Sequence, residues 1–235
     1  MFRKFSALAA LAAPLMAVGA PALAEEIGLG ASSSLVTIGI LLVAMVIGLF
    51  LSARRVKWNA AMIAKAAICI ALAYLLGTIR LFRMPAGGSV TPAAMLPLIL
   101  FAQAFGALPG LLIGCVYGLL QLLIDPYIIH PIQLLVDYPM AYAALALSCL
   151  ALVIPVPKRL KLPLAVLLGY LGRYMVAVLS GAVFFSYNAG DQNPVIFSMI
   201  YNISYLGPEA LVSMAVSFVP GMDRLTGLLR KNNLR

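Results

Sequence analysis

The stretch DPYIIHPIQLLVDYP, residues 125–139, decides how the rest of the chain is read. It places two carboxylates, a histidine, a glutamine and two tyrosines in a chain that is 64% hydrophobic and 10% charged, with a mean hydropathy of +1.07. A water-soluble domain of 235 residues would carry far more charge, so the chain reads as an all-α integral membrane protein with lipid as its solvent. Asp137 and Tyr138 then sit inside a bilayer. An ionisable group at membrane depth costs about 2.5–3.5 kcal/mol or more, and by default it marks a functional site.

Working outward from this stretch, apolar spans of about 20 residues match the thickness of a bilayer. They predict an extra N-terminal transmembrane helix over 33–53 and six core helices over 59–79, 91–105, 109–124, 132–154, 162–185 and 195–219. Two of these are short. Their ends are marked by prolines such as Pro92, Pro109, Pro126 and Pro131, a pattern of tilted or partly re-entrant helices around a cavity. Ahead of them, residues 1–24 have a basic start (Arg3, Lys4), an apolar run and an Ala22-Leu23-Ala24 ending, which predicts a signal peptide cleaved before Glu25. An uncleaved first helix is the alternative. The expected organisation is a signal peptide at 1–24, the extra helix with its basic connection at 25–57, a six-helix membrane domain at 58–222 and a basic cytoplasmic tail at 223–235.

Lys and Arg set the orientation. Arg54, Arg55 and Lys57, then Lys158, Arg159 and Lys161, then Arg224, Arg230, Lys231 and Arg235 occupy alternate connections, which the positive-inside rule places in the cytoplasm. The formal charge of +9 reflects these flanks and not a nucleic-acid partner. The outer connections are therefore 80–90, 125–131 and 186–194. Arg80 and Arg83 break the rule, as residues of a loop folded over a site or in contact with headgroups would.

Counting inward at about 1.5 Å per residue, Asp137 and Tyr138 lie on the order of 10 Å below the outer face. Tyr201 and Asn202 share that depth on the last core helix, and Gly181 and Ala177 pass it on the helix between. An acid, an amide and phenols around one point suit an organic cation. Tyr138, Tyr127 and Phe185 would give aromatic faces, each cation–aromatic contact contributing about 0.5–2 kcal/mol. Arg173 lies closer in depth to Glu209 and is assigned to it as a buried structural pair, which leaves Asp137 without a basic residue at its own level. Alternatively, Asp137 caps the helix entry or stays protonated in lipid.

The same sequence excludes several chemistries. It has no GxxxxGK[ST] loop, so energy must come from partners or from an ion gradient. Cys69, Cys115 and Cys149 lie in apolar segments without metal-like spacing, and no cofactor is expected. His130, beside Pro131, is the only histidine and reads as an exposed loop residue, so an intramembrane enzyme has little support. An autonomous transporter with Asp137 as the proton carrier remains an alternative.

The runs RMPAGGSVTPAAMLPLILFAQAFG (83–106), GLLQLLIDPYIIHPIQLLVDYPMAYAALAL (118–147), GRYMVAVLSGAVFFSYNAG (172–190) and YNISYLGPEAL (201–211) resemble the thiamine-specific substrate-binding (S) subunit of energy-coupling factor (ECF) transporters. The resemblance covers about 59–219. It implies a six-helix S-component bundle that captures the vitamin on the outer side and associates with a transmembrane coupling subunit and two ATPases. It also implies an acidic thiamine contact at Asp137, aromatic contacts at Tyr127, Tyr138 and Phe185, and a polar contact at the Tyr201-Asn202 pair. Two positions depart from the pattern: RYxxHxxSG has Ala177 in place of histidine, and Phe197 replaces a frequent tyrosine. A thiamine precursor is thus a second candidate ligand. Ala67 and Ala71 form an AxxxA on the first core helix, where the family docks its coupling subunit, although Ala60 and Ala64 have the same spacing.

Overall fold

The computed structural model describes residues 31–85, 87–124 and 126–231, so the signal peptide expected at 1–24, Asp125 and residues 232–235 lie outside the described residues. In chain order the elements are α1 (Ala31–Arg55), α2 (Ala60–Thr78), β1 (Phe82–Arg83), β2 (Ser89–Val90), α3 (Leu96–Phe105), α4 (Ala107–Ile124), α5 (Pro131–Leu152), α6 (Lys158–Phe184), α7 (Pro194–Ser217) and α8 (Met222–Arg230). Helices α2, α4, α5, α6 and α7 are long and apolar enough to cross a membrane, and α1 contains the shorter apolar stretch Val36–Ser52.

Helix α3 has 10 residues, about 15 Å of rise, and cannot span a hydrocarbon core of about 30 Å. Every residue from Leu96 to Ala104 is buried, because α2, α4, α5 and α8 enclose it. It forms the hub of the bundle.

Three departures from the expected helices have local causes. The predicted helix at 91–105 begins only at Leu96: Pro92 interrupts the backbone, and Ala93 adopts φ 62°, a conformation that does not continue a right-handed helix. The outer connection at 80–90 is a short antiparallel hairpin, so the chain is not strictly all-α. Phe82 pairs with Val90 and Arg83 with Ser89, and Gly87 and Gly88, at φ 89° and 88°, supply the positive φ that the turn requires. Helix α5 is the most irregular element: a turn of α-helix at Pro131–Leu135, a π turn at Val136–Met140, three α residues and a 3-10 stretch at Ala144–Leu152. Pro139 lies inside the π turn, whose wider ring accommodates a residue without an N–H donor, and such turns recur at functional sites. In the 3-10 stretch, Gln103 Nε2 donates to Ser148 O at 2.7 Å.

Glycines bring the backbones together around α5. Gly110, Gly114 and Gly118 repeat at every fourth position along one face of α4. A Cβ added at Gly114 would collide with the Tyr142 carbonyl, and one at Gly118 with the Tyr138 carbonyl. On the other side, a Cβ at Gly172 of α6 would stand 2.7 Å from Ala144 O. Helix α5 is therefore clamped between two glycine faces, backbone against backbone, and its π turn is held in place.

Helix α8 was expected only as a basic tail. It is amphipathic and ties back to the bundle: Arg230 Nε donates to Ala104 O at 3.1 Å, and Lys65 Nζ to Leu229 O at 2.7 Å.

Candidate functional site

One cavity of about 150 Å³ opens beneath the outer connections and is walled by the hairpin, α2 and α4–α7. Tyr127, Asp137, Tyr138, Phe185, Tyr201 and Asn202 all line it, although they come from the 125–131 connection, α5, the end of α6 and α7. Arg173 and Glu209 line its deeper part.

The π turn directs Asp137 into this space. Gln133, one turn earlier and 1% exposed, donates from Nε2 to Asp137 Oδ2 at 2.6 Å and to Tyr127 O at 3.1 Å, while its Oε1 accepts from Ile129 N at 3.2 Å. One amide thus fastens the carboxylate to the outer connection. The buried Ser180 hydroxyl stands beside the same carboxylate without reaching hydrogen-bond geometry. Asp137 itself is half-buried and faces the cavity.

Aromatic groups form the rim. The Tyr127 and Phe185 rings stack at 5.8 Å between centroids with 23° between their planes, and the Tyr138 hydroxyl accepts from Tyr127 N at 2.7 Å. The Tyr187 hydroxyl beside it pushes the Tyr127 phenol up from its ordinary value. His130 is exposed, as expected, and it also caps α5: its Nδ1 accepts from Ile132 N at 3.1 Å. The hairpin reaches over the opening. Tyr201 donates its hydroxyl to Gly87 O at 2.8 Å, and Arg80 Nη2 donates to Ile124 O at 3.1 Å.

Asn202 is held from several sides. Its Nδ2 donates to Ser198 O at 2.9 Å, Ser198 Oγ at 3.1 Å and Ala177 O at 3.3 Å, and its Oδ1 accepts from the Tyr205 hydroxyl at 2.8 Å. A Cβ at Gly181 would collide with Ser198 Oγ, so glycine there is what lets α6 and α7 close on this network.

Arg173 and Glu209 require a correction. They act on each other electrostatically, but not as a hydrogen-bonded pair: Arg173 Nη2 donates to the Tyr142 hydroxyl at 3.0 Å with its guanidinium 4.0 Å from that ring's centroid, and Glu209 Oε1 accepts from Thr91. Each takes its hydrogen-bond partner from another element, Arg173 from Tyr142 of α5 and Glu209 from Thr91 just after β2, which depth counting alone does not show. Arg173 lines the same cavity as Asp137 and acts on its carboxylate electrostatically. Asp137 is therefore not wholly without a basic neighbour.

Ala67 and Ala71 are not among the residues that line this cavity and lie on an exposed face of α2 with Ile63, Ile68, Leu72 and Leu75; Ala60 and Ala64 are exposed as well. Gln133 and Ser198 were not singled out from the sequence. Both lie four residues from a group that was, at the spacing that stacks side chains on one helix face, and that spacing would have found them.

A bundle of apolar helices around a cavity lined by aromatic, amide and carboxylate groups has the form of a membrane-embedded solute-binding protein. The family described as thiamine transporter protein (Thia_YuaJ) matches residues 63–226, and the chain belongs to that family. It is 38% identical over 144 residues to the thiamine transporter ThiT of Bacillus subtilis (strain 168), covering 57% of this chain and 74% of that protein. Its fold is similar to a solved structure of ThiT from Listeria monocytogenes, with TM-score 0.53, 22% identity, and coverage of 71% of this chain and 93% of the other. It is a multi-pass cell-membrane protein of the S-component fold.

Proposed function

We propose that the protein captures thiamine from the outer side of the cell membrane and delivers it through an ECF module of one transmembrane coupling subunit and two ATPases. The observation that carries this reading is the convergence of six residues from separate elements on one cavity, with Asp137 offered to it by a π turn. In the bound state the Asp137 carboxylate would offset the ligand's positive charge, the Tyr127, Tyr138 and Phe185 rings would face its aromatic systems, and the Tyr201-Asn202 pair would supply polar contacts.

Ala177 lines the cavity where the family pattern has histidine. If the site otherwise suits thiamine, Ala177→His adds one polar contact and tightens binding about 3- to 10-fold, in line with a net hydrogen-bond contribution of about 1 kcal/mol. A titration with thiamine measures this; weaker binding would mean that the pocket is shaped for another cation, such as a thiamine precursor.

The coupling surface is assigned to the exposed small-residue stripe of α2, because helix association in lipid depends on close van der Waals approach. The double substitution Ala67→Trp, Ala71→Trp is expected to prevent assembly with the coupling module and abolish uptake in cells, while thiamine binding by the isolated protein changes less than about 2-fold, the stripe being outside the cavity lining. A pull-down beside a binding titration on the same variant checks both. Assembly that survives would move the contact to Ala60 and Ala64 or remove the coupling proposal, and uptake without any ATPase would favour the proton-coupled alternative.

A further inference from the structure

Helix α1 lies wholly outside residues 63–226, the part of the chain that matches the family. It is nonetheless packed into the bundle. Ile38 and Leu41, 2% and 5% exposed, form a single buried cluster with Val136 and Met140 of the π turn and with Val176 and Leu179 of α6. Further along the same face, Met45 and Leu49 pack on Leu111, Cys115, Ala143 and Ala146, and Gly48 approaches so closely that an added Cβ would stand 2.9 Å from Leu111 Cδ1. The opposite face, with Val36, Ile40, Val43, Ile47 and Phe50, is exposed.

The residues that α1 covers are sequence neighbours of the site. Val136 and Met140 bracket Asp137 and Tyr138, and Val176 precedes Ala177, whose carbonyl holds Asn202. A π turn has one more residue per hydrogen-bonded ring than an α turn and can relax to the commoner geometry by rotating the side chains within it. Such a rotation would need Val136 and Met140 to leave their packed positions, and the α1 side chains stand in the way.

We infer that α1 is a brace for the binding site, with Ile38 and Leu41 as positioning residues that hold the Asp137 π turn in its cavity-facing geometry. This rests on the proposed thiamine site and adds to it a part of the chain that the family match does not include. Without the brace, the carboxylate spends less time aimed at the ligand and the ligand leaves faster.

The test is a double-mutant cycle on the full chain with thiamine as the probe. Ile38→Ala with Leu41→Ala should raise the thiamine dissociation rate and Kd by about 10-fold, while Ile40→Ala with Val43→Ala, which trims the exposed face, should leave both within about 2-fold. In an Asp137→Asn background the Ile38/Leu41 change should lose most of its effect, because the group being positioned is already gone. An equal loss in both backgrounds would mean that α1 contributes general stability only, and an unchanged Kd in a folded Ile38/Leu41 variant would overturn the brace outright. Should the double alanine variant fail to fold, Ile38→Val and Leu41→Val run through the same cycle and are judged by the same non-additivity. If Asp137→Asn alone binds thiamine as the wild type does, the site assignment fails, a result distinct from failure of the brace.

Discussion

Replacing Gly118 with valine is expected to eliminate the folded, ligand-binding protein. A Cβ at this position would overlap the carbonyl of Tyr138, with the Tyr138 carbonyl carbon and Pro139 Cα behind it at 2.6 and 2.8 Å. All three are backbone atoms and cannot turn aside as a side-chain tip would. Relief requires α4 to move away from α5, or the π turn to lose its shape, and α5 is already pressed from the other side at Gly172. Overpacking of a tight core commonly costs about 1–3 kcal/mol where side chains can adapt, and here they cannot, so the loss should exceed about 3 kcal/mol. The measurement is the yield of monodisperse protein in detergent and its melting temperature. Gly39→Ala on α1, where nothing lies within 4 Å of the added carbon, should be silent or slightly stabilising. Normal folding of the valine variant would show that α4 and α5 are not in backbone contact.

The second large effect is on the ligand. Asp137→Asn keeps the shape of the side chain and removes its charge, and Gln133 can still meet the remaining amide oxygen. Thiamine binding should weaken by about 1.5–3 kcal/mol, roughly 10- to 150-fold, the range for hydrogen bonds to charged groups. Folding should be preserved, since the half-buried carboxylate is not part of the clamp between α4 and α6. A calorimetric titration with thiamine reads the difference; unchanged affinity would mean that the ligand's charge is met elsewhere in the cavity.

The bundle was legible in the sequence because lipid leaves little choice: spans of about 20 apolar residues had to be helices. Counting along the expected helices grouped Asp137 with Asn202 and the aromatic residues, and these residues line one cavity. What it did not give was helical irregularity. The π turn at Pro139 and the delayed start of α3 depend on which backbone the neighbouring helix presents, and the periodicity of apolar residues is blind to that when nearly every residue is apolar. The hairpin at 82–90 escaped for a related reason: its strands are two residues long, too short to show an alternation. The separate hydrogen-bond partners of Arg173 and Glu209 escaped because depth fixes one coordinate of a side chain and leaves its direction around the helix open, so Tyr142 and Thr91 were not seen as their partners. The glycine repeat was readable in the sequence: Gly114 and Gly118 mark the close approach of α4 to the α5 backbone, while Gly110 marks its approach to Ala102 of α3.

The central claim is that an isolated chain binds thiamine in an outward-facing cavity and leaves transport to partners. Its most direct test is purified protein reconstituted alone, outer face outward, in sealed vesicles and incubated with radiolabelled thiamine. The expected result is saturable retention of about one thiamine per accessible protein, displaced by unlabelled thiamine outside, with no accumulation in the lumen under an imposed proton gradient. Absence of retention, or accumulation in the lumen driven by that gradient with no ATPase present, would contradict it.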